Sequence, residues 1–207
     1  KQSLEISRGV DSGGAGDQGI MVGYATAETP SMMPLEYELA RSLCQKVFAQ
    51  YPYDGKVQVT LRGTAVETVV VSFQNTTSPE LEKIVRQLIT AEHYLINPAG
   101  EWKLGGFTAD SGATGRKLVI DHYGPQIPIG GGAFSGKDAT KVDRSAAYMA
   151  RHIACDYVRK GAKEALVKLA YAIGQAQPVM AVALIDGKDS EVQGYDLRPQ
   201  AIIELLQ

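Results

Sequence analysis

Val57-Gln58-Val59-Thr60-Leu61 leads through Arg62-Gly63-Thr64 into Thr68-Val69-Val70-Val71-Ser72-Phe73. The first stretch alternates apolar and polar residues, as a strand with one buried face does, and the second is the more continuously apolar run of a more deeply buried strand. With a glycine at the join, the pair predicts a β-hairpin. Beyond it, Ser78 reads as a helix N-cap with Pro79 at the first helical position, and Leu81, Ile84, Val85, Leu88 and Ile89 give that helix one apolar face. Upstream, Leu39, Leu43, Val47 and Ala40, Cys44, Phe48 recur at four-residue steps and predict a helix. Gly9–Gly23, before it, is dense in glycine and reads as a loop.

The same order returns about 110 residues further on. A glycine-rich loop at Gly130–Gly136 precedes a helix through Ala150 and Ile153, a strand at Val167–Tyr171, a partner at Val179–Ile185 and a proline-led helix at Pro199–Leu206. Ala40-Arg41 aligns with Ala150-Arg151 at the offset that aligns Val57–Leu61 with Val167–Tyr171. The period is too long for a solenoid and implies an α+β chain of two duplicated sheet-plus-helix domains, 1–104 and 105–207, joined near Gly105-Gly106. Lys117–Asp121 reads as a strand ahead of the second glycine loop.

With 207 residues, 44% of them hydrophobic, the chain can bury a sizeable core. Its 21 basic and 23 acidic residues leave a formal charge of −2, so no nucleic acid or anionic membrane is expected as a partner, and any anion must be met by a local cluster. No apolar run approaches the roughly 20 residues that span a bilayer. Lys1-Gln2-Ser3-Leu4-Glu5 lacks the apolar core of a secretory signal, so the cytoplasm is the expected location. Cys44 and Cys155, far apart and each in a helical pattern, read as two small buried hydrophobes rather than a disulfide.

Gly131-Gly132-Ala133-Phe134-Ser135-Gly136-Lys137-Asp138 has the G-x-x-x-x-G-K spacing that lets backbone N–H groups and a lysine cradle phosphates, but an aspartate stands where a magnesium-binding hydroxyl is needed. By pattern alone it is a phosphate loop or a flexible surface loop. Arg116, Lys117, Lys137, Lys141 and Arg144 occur with Asp110, Asp138 and Asp143, the mixture a magnesium polyphosphate requires, and also an ordinary solvated surface. In Gly13–Gly19, Asp17 is either presented on a rigid turn or bonded to its own backbone. Trp102, the single tryptophan, is a core anchor or a stacking platform for a base. His93, His122 and His152 lack ligand spacing and read as structural or surface residues.

Together these segments resemble the S-adenosylmethionine synthetase (methionine adenosyltransferase) family along nearly the whole chain. Gly14–Met21 is similar to its GAGDQG loop, Gly130–Asp138 to its GGGAFSGKD loop, Asp110–Lys117 to a third signature, and Lys141–Tyr148 extends the second. The resemblance implies a fold of three similar α+β domains around a pseudo-threefold axis, two of which are apparent here. It implies joining of ATP and L-methionine by attack of the methionine sulfur on the ribose 5′ carbon, with release and hydrolysis of tripolyphosphate, dependent on Mg2+ and K+. It assigns Arg116, Lys117 and Lys137 to the phosphates, with Ala133 beside them. Asp54, Lys56 and Trp102 fall to ATP, the tryptophan beside adenine, and Asp110 to nucleoside and methionine. Lys141 and Asp17 fall to methionine, Asp143 to magnesium and Ser135 to potassium. Lys56, Arg116, Lys117, Lys137 and Asp17 form the implied catalytic set.

Family sites lie between two subunits, so a homodimer or homotetramer is expected. Two local departures stand out: Glu101 precedes Trp102 where a basic residue is expected, and Gln74–Asn97 is shorter than is typical. The family's first domain carries a His-Pro-Asp motif that does not occur in this sequence. The expectation is therefore an enzyme completed by an N-terminal segment or subunit. The competing expectation is a non-catalytic regulatory or assembly subunit that pairs with a complete synthetase.

Overall fold

A computed structural model describes residues 13–206 and Val10; Lys1–Gly9, Asp11, Ser12 and Gln207 lie outside the described residues, and with them the beginning of the loop expected from Gly9. The hairpin forms as the alternation requires. Strand β1 is Gly19–Thr26, helix α1 Leu35–Phe48, β2 Gly55–Arg62 and β3 Ala65–Phe73. β2 and β3 pair antiparallel, and Gly63 turns the chain with φ +61°. Helix α2 (Ser78–Leu88) carries the chain back so that β4 (His93–Ile96) pairs parallel to β3. Val69, Val71 and Phe73 project from one face of this three-stranded sheet and are buried with Leu43 and Val47 of α1 and with Leu81 and Val85 of α2. These elements form one compact unit, Leu35–Ala113. The N-cap of α2 is Thr77 rather than Ser78, which is the first helical residue.

The other unit combines Lys1–Pro34 with Thr114–Gln207. It contains α3 (Leu118–Asp121), α4 (Val142–Arg159), β5 (Glu164–Tyr171), β6 (Met180–Ile185), β7 (Lys188–Glu191) and α5 (Pro199–Leu206). Its sheet runs β1-β5-β6-β7, antiparallel throughout. Met21 and Ala25 of β1, Ala165, Val167, Leu169 and Tyr171 of β5, and Ala183 of β6 form the sheet side of the core. Helix α4 lies on it through Ala146, Met149, Ala150, Ile153 and Ala154. The helix face is alanine-rich, so its backbone approaches the strands closely. The Tyr171 hydroxyl donates to the Leu197 carbonyl at 2.6 Å, tying the chain before α5 to β5, and burial pushes the phenol pKa up. The Arg151 guanidinium donates to the carbonyls of Met32 (2.9 Å), Ser31 (2.8 Å) and Tyr24, and so fastens the segment that leaves β1.

Helix, hairpin and second helix thus recur in both units of an α+β fold, but several expectations change. The end of the Gly9–Gly23 stretch is strand, because residues from Gly19 onward pair with β5 from Gly19↔Tyr171 to Thr26↔Glu164. Lys117–Asp121 is not a strand: the N–H groups of Asp121 and His122 bond the carbonyls of Lys117 and Leu118, making a single helical turn between Gly115 and Gly124, both at positive φ. Beside the expected division into 1–104 and 105–207, contacts group Lys1–Pro34 with Thr114–Gln207, because β1 pairs with β5. Cys155 is buried and Cys44 half-buried, and both are free. Among the described residues no helix is long and apolar enough to cross a membrane.

Gly23 carries the closest approach: a β-carbon built there falls 2.1 Å from the Ala150 carbonyl carbon and 2.2 Å from the Arg151 nitrogen. Both are helix backbone and cannot swing aside. Gly23→Ala is therefore expected to lower unfolding stability by about 3 kcal/mol, the upper range for overpacking, as measured by urea unfolding.

Candidate active site

The loop from Gly130 to Lys137 is built by close approaches. A β-carbon on Gly130 would meet Val22 Cγ2 at 2.5 Å and the Ile20 carbonyl oxygen at 2.6 Å, so the loop is pressed onto β1. Gly131, at φ +70°, and Gly132 pass the Asp143 carboxylate, whose oxygens would lie 3.2 Å and 3.4 Å from their β-carbons. The Lys137 N–H bonds the Phe134 carbonyl at 3.0 Å, which closes a turn, and the Lys137 ammonium then pairs with Asp143. Arg144 donates to the Lys137 carbonyl from the other side. Asp143 sits in the first turn of α4, where the helix dipole favours negative charge.

Aromatic rings hold the middle of this loop. Phe134 stacks on His122 with centroids 5.1 Å apart and an interplanar angle of 29°, and lies 5.5 Å from Tyr148 on its other side. His122 is buried, and that burial pulls its pKa below the usual imidazole value against the opposing charge of Asp121. A β-carbon on Gly115 would lie 3.6 Å from that of Ala133, so the segment leading into the exposed Arg116 and Lys117 runs beside the loop. Asp138 accepts hydrogen bonds from the hydroxyl and, at 2.8 Å, the backbone N–H of Thr140, which hold its carboxyl below the usual carboxylate range. It is a turn residue, and the loop is not set between a strand and a helix as a P-loop is.

Asp17 is exposed and accepts a hydrogen bond from the Gln18 N–H at 2.8 Å, the own-backbone alternative. Lys141 is the N-cap of α4, and Ser135 is exposed beside Gly136. In the Leu35–Ala113 unit, Lys56 is exposed on the polar face of β2, and the Asp54 carboxylate accepts from the Gly106 N–H at 2.9 Å. Trp102 is half-buried, and the exposed Asp110 accepts from the Gly112 N–H at 2.8 Å. The aromatic stack escaped the sequence reading, although Phe134 lies inside the glycine motif. Its partners are separated in sequence and follow no periodic pattern.

Among the described residues no group of three or more His, Cys, Asp or Glu side chains converges as a complete metal site. That donor set does not argue against magnesium, which takes one or two carboxylates with water and phosphate oxygens rather than an all-protein cage. Asp143, approached by Gly131 and Gly132 and paired with Lys137, is a carboxylate that fits that role.

This α+β chain, with a lysine–carboxylate pair set in a glycine loop, can now be placed among known proteins. The sequence model for the S-adenosylmethionine synthetase central domain matches residues 12–102, and that for the C-terminal domain matches 104–207. The chain belongs to the S-adenosylmethionine synthetase family. It is 47% identical to the S-adenosylmethionine synthase of Thermus thermophilus, over 98% of this chain and 61% of that protein. It is 44% identical to that of Desulforudis audaxviator, over 99% of this chain and 62% of the relative. The solved structure of an unusual S-adenosylmethionine synthetase from Campylobacter jejuni superposes with a TM-score of 0.78 at 34% identity, covering 92% of this chain and 61% of that one. The chain thus spans about three fifths of the length of these relatives.

Because burial depresses the His122 pKa, the unfolded chain takes up this proton first as pH falls. The contribution of neutral His122 is complete above an unfolded-state pKa of about 6.5 and drains as pH drops toward the lower folded value. Thermal melts from pH 8 to about 5 should show a smaller loss of Tm in His122→Gln than in the parent.

Proposed function

We propose that the chain carries the phosphate-handling part of a methionine adenosyltransferase, with ATP and L-methionine as substrates. The observation that carries the reading is the Lys137–Asp143 pair, seated by Gly131 and Gly132 at the N-terminus of α4. Within the chain the two charges neutralise one another. A polyphosphate chain would draw the Lys137 ammonium onto its oxygens, aided by Arg116 and Lys117, while freeing the Asp143 carboxylate. Asp143 would hold Mg2+, which when bound neutralises charge on the phosphates, and Ser135 would offer an oxygen to K+. Each charge then gains a new partner as it gives up the old one.

In this reading Asp54, Lys56 and Trp102 serve ATP, the tryptophan beside adenine, Ala133 lines the phosphate loop, Asp110 contacts nucleoside and methionine, Lys141 lies near methionine and ATP, and Asp17 serves methionine. With sulfur and 5′ carbon aligned, the departing tripolyphosphate takes the bonding electrons and its charge is met by fixed cations, so no protein nucleophile is needed. A complementary N-terminal segment or subunit would complete the site, and a homodimer or homotetramer is the expected assembly. Family membership and the preserved loops support this reading over a regulatory subunit, which has no need of Lys137, Lys141 and Asp143 together.

The purified chain, supplied with Mg-ATP, L-methionine and K+, is assayed for S-adenosylmethionine by mass spectrometry and for nucleotide binding by calorimetry. Product, or Mg-ATP and tripolyphosphate binding that Lys137→Ala weakens by about ten- to a hundredfold, the range for a lost charge-assisted hydrogen bond, upholds the reading. Absence of product together with binding indifferent to Lys137 sinks it.

A further inference from the structure

Glu101 is a carboxylate where the family resemblance calls for a base, and the structure gives it an occupation. Helix α2 starts after Thr77, whose hydroxyl would ordinarily accept a hydrogen bond from the helix's first turn. Instead that hydroxyl donates to Glu80 at 2.6 Å and makes no capping bond. Pro79 has no N–H to offer, and the Ser78 N–H is the first donor of the helix. Glu101, 23 residues away, accepts from the Ser78 N–H at 2.8 Å and brings its negative charge to the positive end of the helix dipole.

The next residue is Trp102. Its carbonyl accepts from the Asn75 N–H at 3.0 Å, and the following carbonyl, of Lys103, accepts from Gln74 Nε2 at 2.7 Å. The other end of the same side-chain amide, Gln74 Oε1, accepts from the Asp54 N–H at 3.3 Å, while the Gln74 N–H donates to the Asp54 carbonyl at 2.8 Å. Asp54 then binds the Gly106 N–H. Gly105 lies under the indole, where a β-carbon would fall 2.6 Å from Trp102 Cζ3 and 2.7 Å from Gln74 Oε1. The stretch from Glu101 to Gly105 has no regular secondary structure, yet it is tied down on both sides of the ring.

We infer that Glu101 and Gln74 are positioning residues for Trp102: one anchors the chain before the indole to the start of α2, the other clamps the chain after it to Asp54. The functional weight of this inference rests on the reading of Trp102 as the adenine-side ring. Its structural content does not, and the experiment keeps the two apart.

Trp102 is the single tryptophan among ten tyrosines, so emission excited beyond the tyrosine absorption band reports this ring alone. The parent, Glu101→Ala, Gln74→Ala and Glu101→Gln are compared by acrylamide quenching and emission maximum, with and without Mg-ATP, and by circular dichroism to check folding. Both alanine variants should shift emission to the red and raise the quenching constant about twofold, as a locally released segment gains solvent access. Glu101→Gln retains an acceptor oxygen and should behave as the parent. Should an alanine variant fail to fold, Gln74→Glu, which keeps the shape but loses the donor to Lys103, carries the same expectation as Gln74→Ala. Parent-like quenching in the folded Gln74 and Glu101→Ala variants, even with a lowered melting temperature, overturns the inference, as does equal loss in Glu101→Gln and Glu101→Ala. A raised constant in the variants, with parent emission indifferent to Mg-ATP, upholds the positioning role and rejects the adenine role of Trp102.

Discussion

Gly23 lets the backbone of α4 rest on the backbone of β1, and the placement of the charged loop follows from that contact. The strand under the helix is also the strand under Gly130, through Val22 and the Ile20 carbonyl. One strand therefore sets the height of both partners: the loop that ends in Lys137, and the helix whose first turn presents Asp143. Small residues at these crossings make the distance between the partners a property of the backbone rather than of side-chain packing.

The charges that meet there are only partly shielded, with the Lys137 and Asp143 side chains 28% and 16% exposed. A pair of this kind adds little net stability, because desolvation offsets much of the attraction. Its effect is to set two opposite charges in fixed places at the start of α4. The Phe134 stack and the Arg144 bond to the Lys137 carbonyl restrict the loop backbone around the lysine.

How far the fold was legible in the sequence depended on what each residue was there for. Val57–Leu61 and the run to Phe73 alternate because one face is buried, and the hairpin followed directly. Gly23 is there for close approach rather than for a turn, so its glycine-rich surroundings read as loop and hid β1. Lys117–Asp121 is short and apolar enough to read as strand, while the turn is decided by the glycines that flank it. At the site, the Lys137 spacing and the acidic start of α4 were readable as motifs. Their contact was not, nor were the stack of His122 on Phe134 and the reach of Glu101 to Ser78, which join positions that only the folded chain brings together.

The pairing of β1 with β5 also orders events during synthesis. Gly19–Thr26 leaves the ribosome well before its partner Glu164–Tyr171 and the covering helix Val142–Arg159. The contacts inside Leu35–Ala113 close within that stretch, so this unit has its full set of partners first. Such long sequence separation slows the formation of the remaining sheet. Until α4 and β5 emerge, Met21 and Ala25 lack both the helix that covers them and the strand that pairs with theirs, and β1 is open to wrong pairing in that interval.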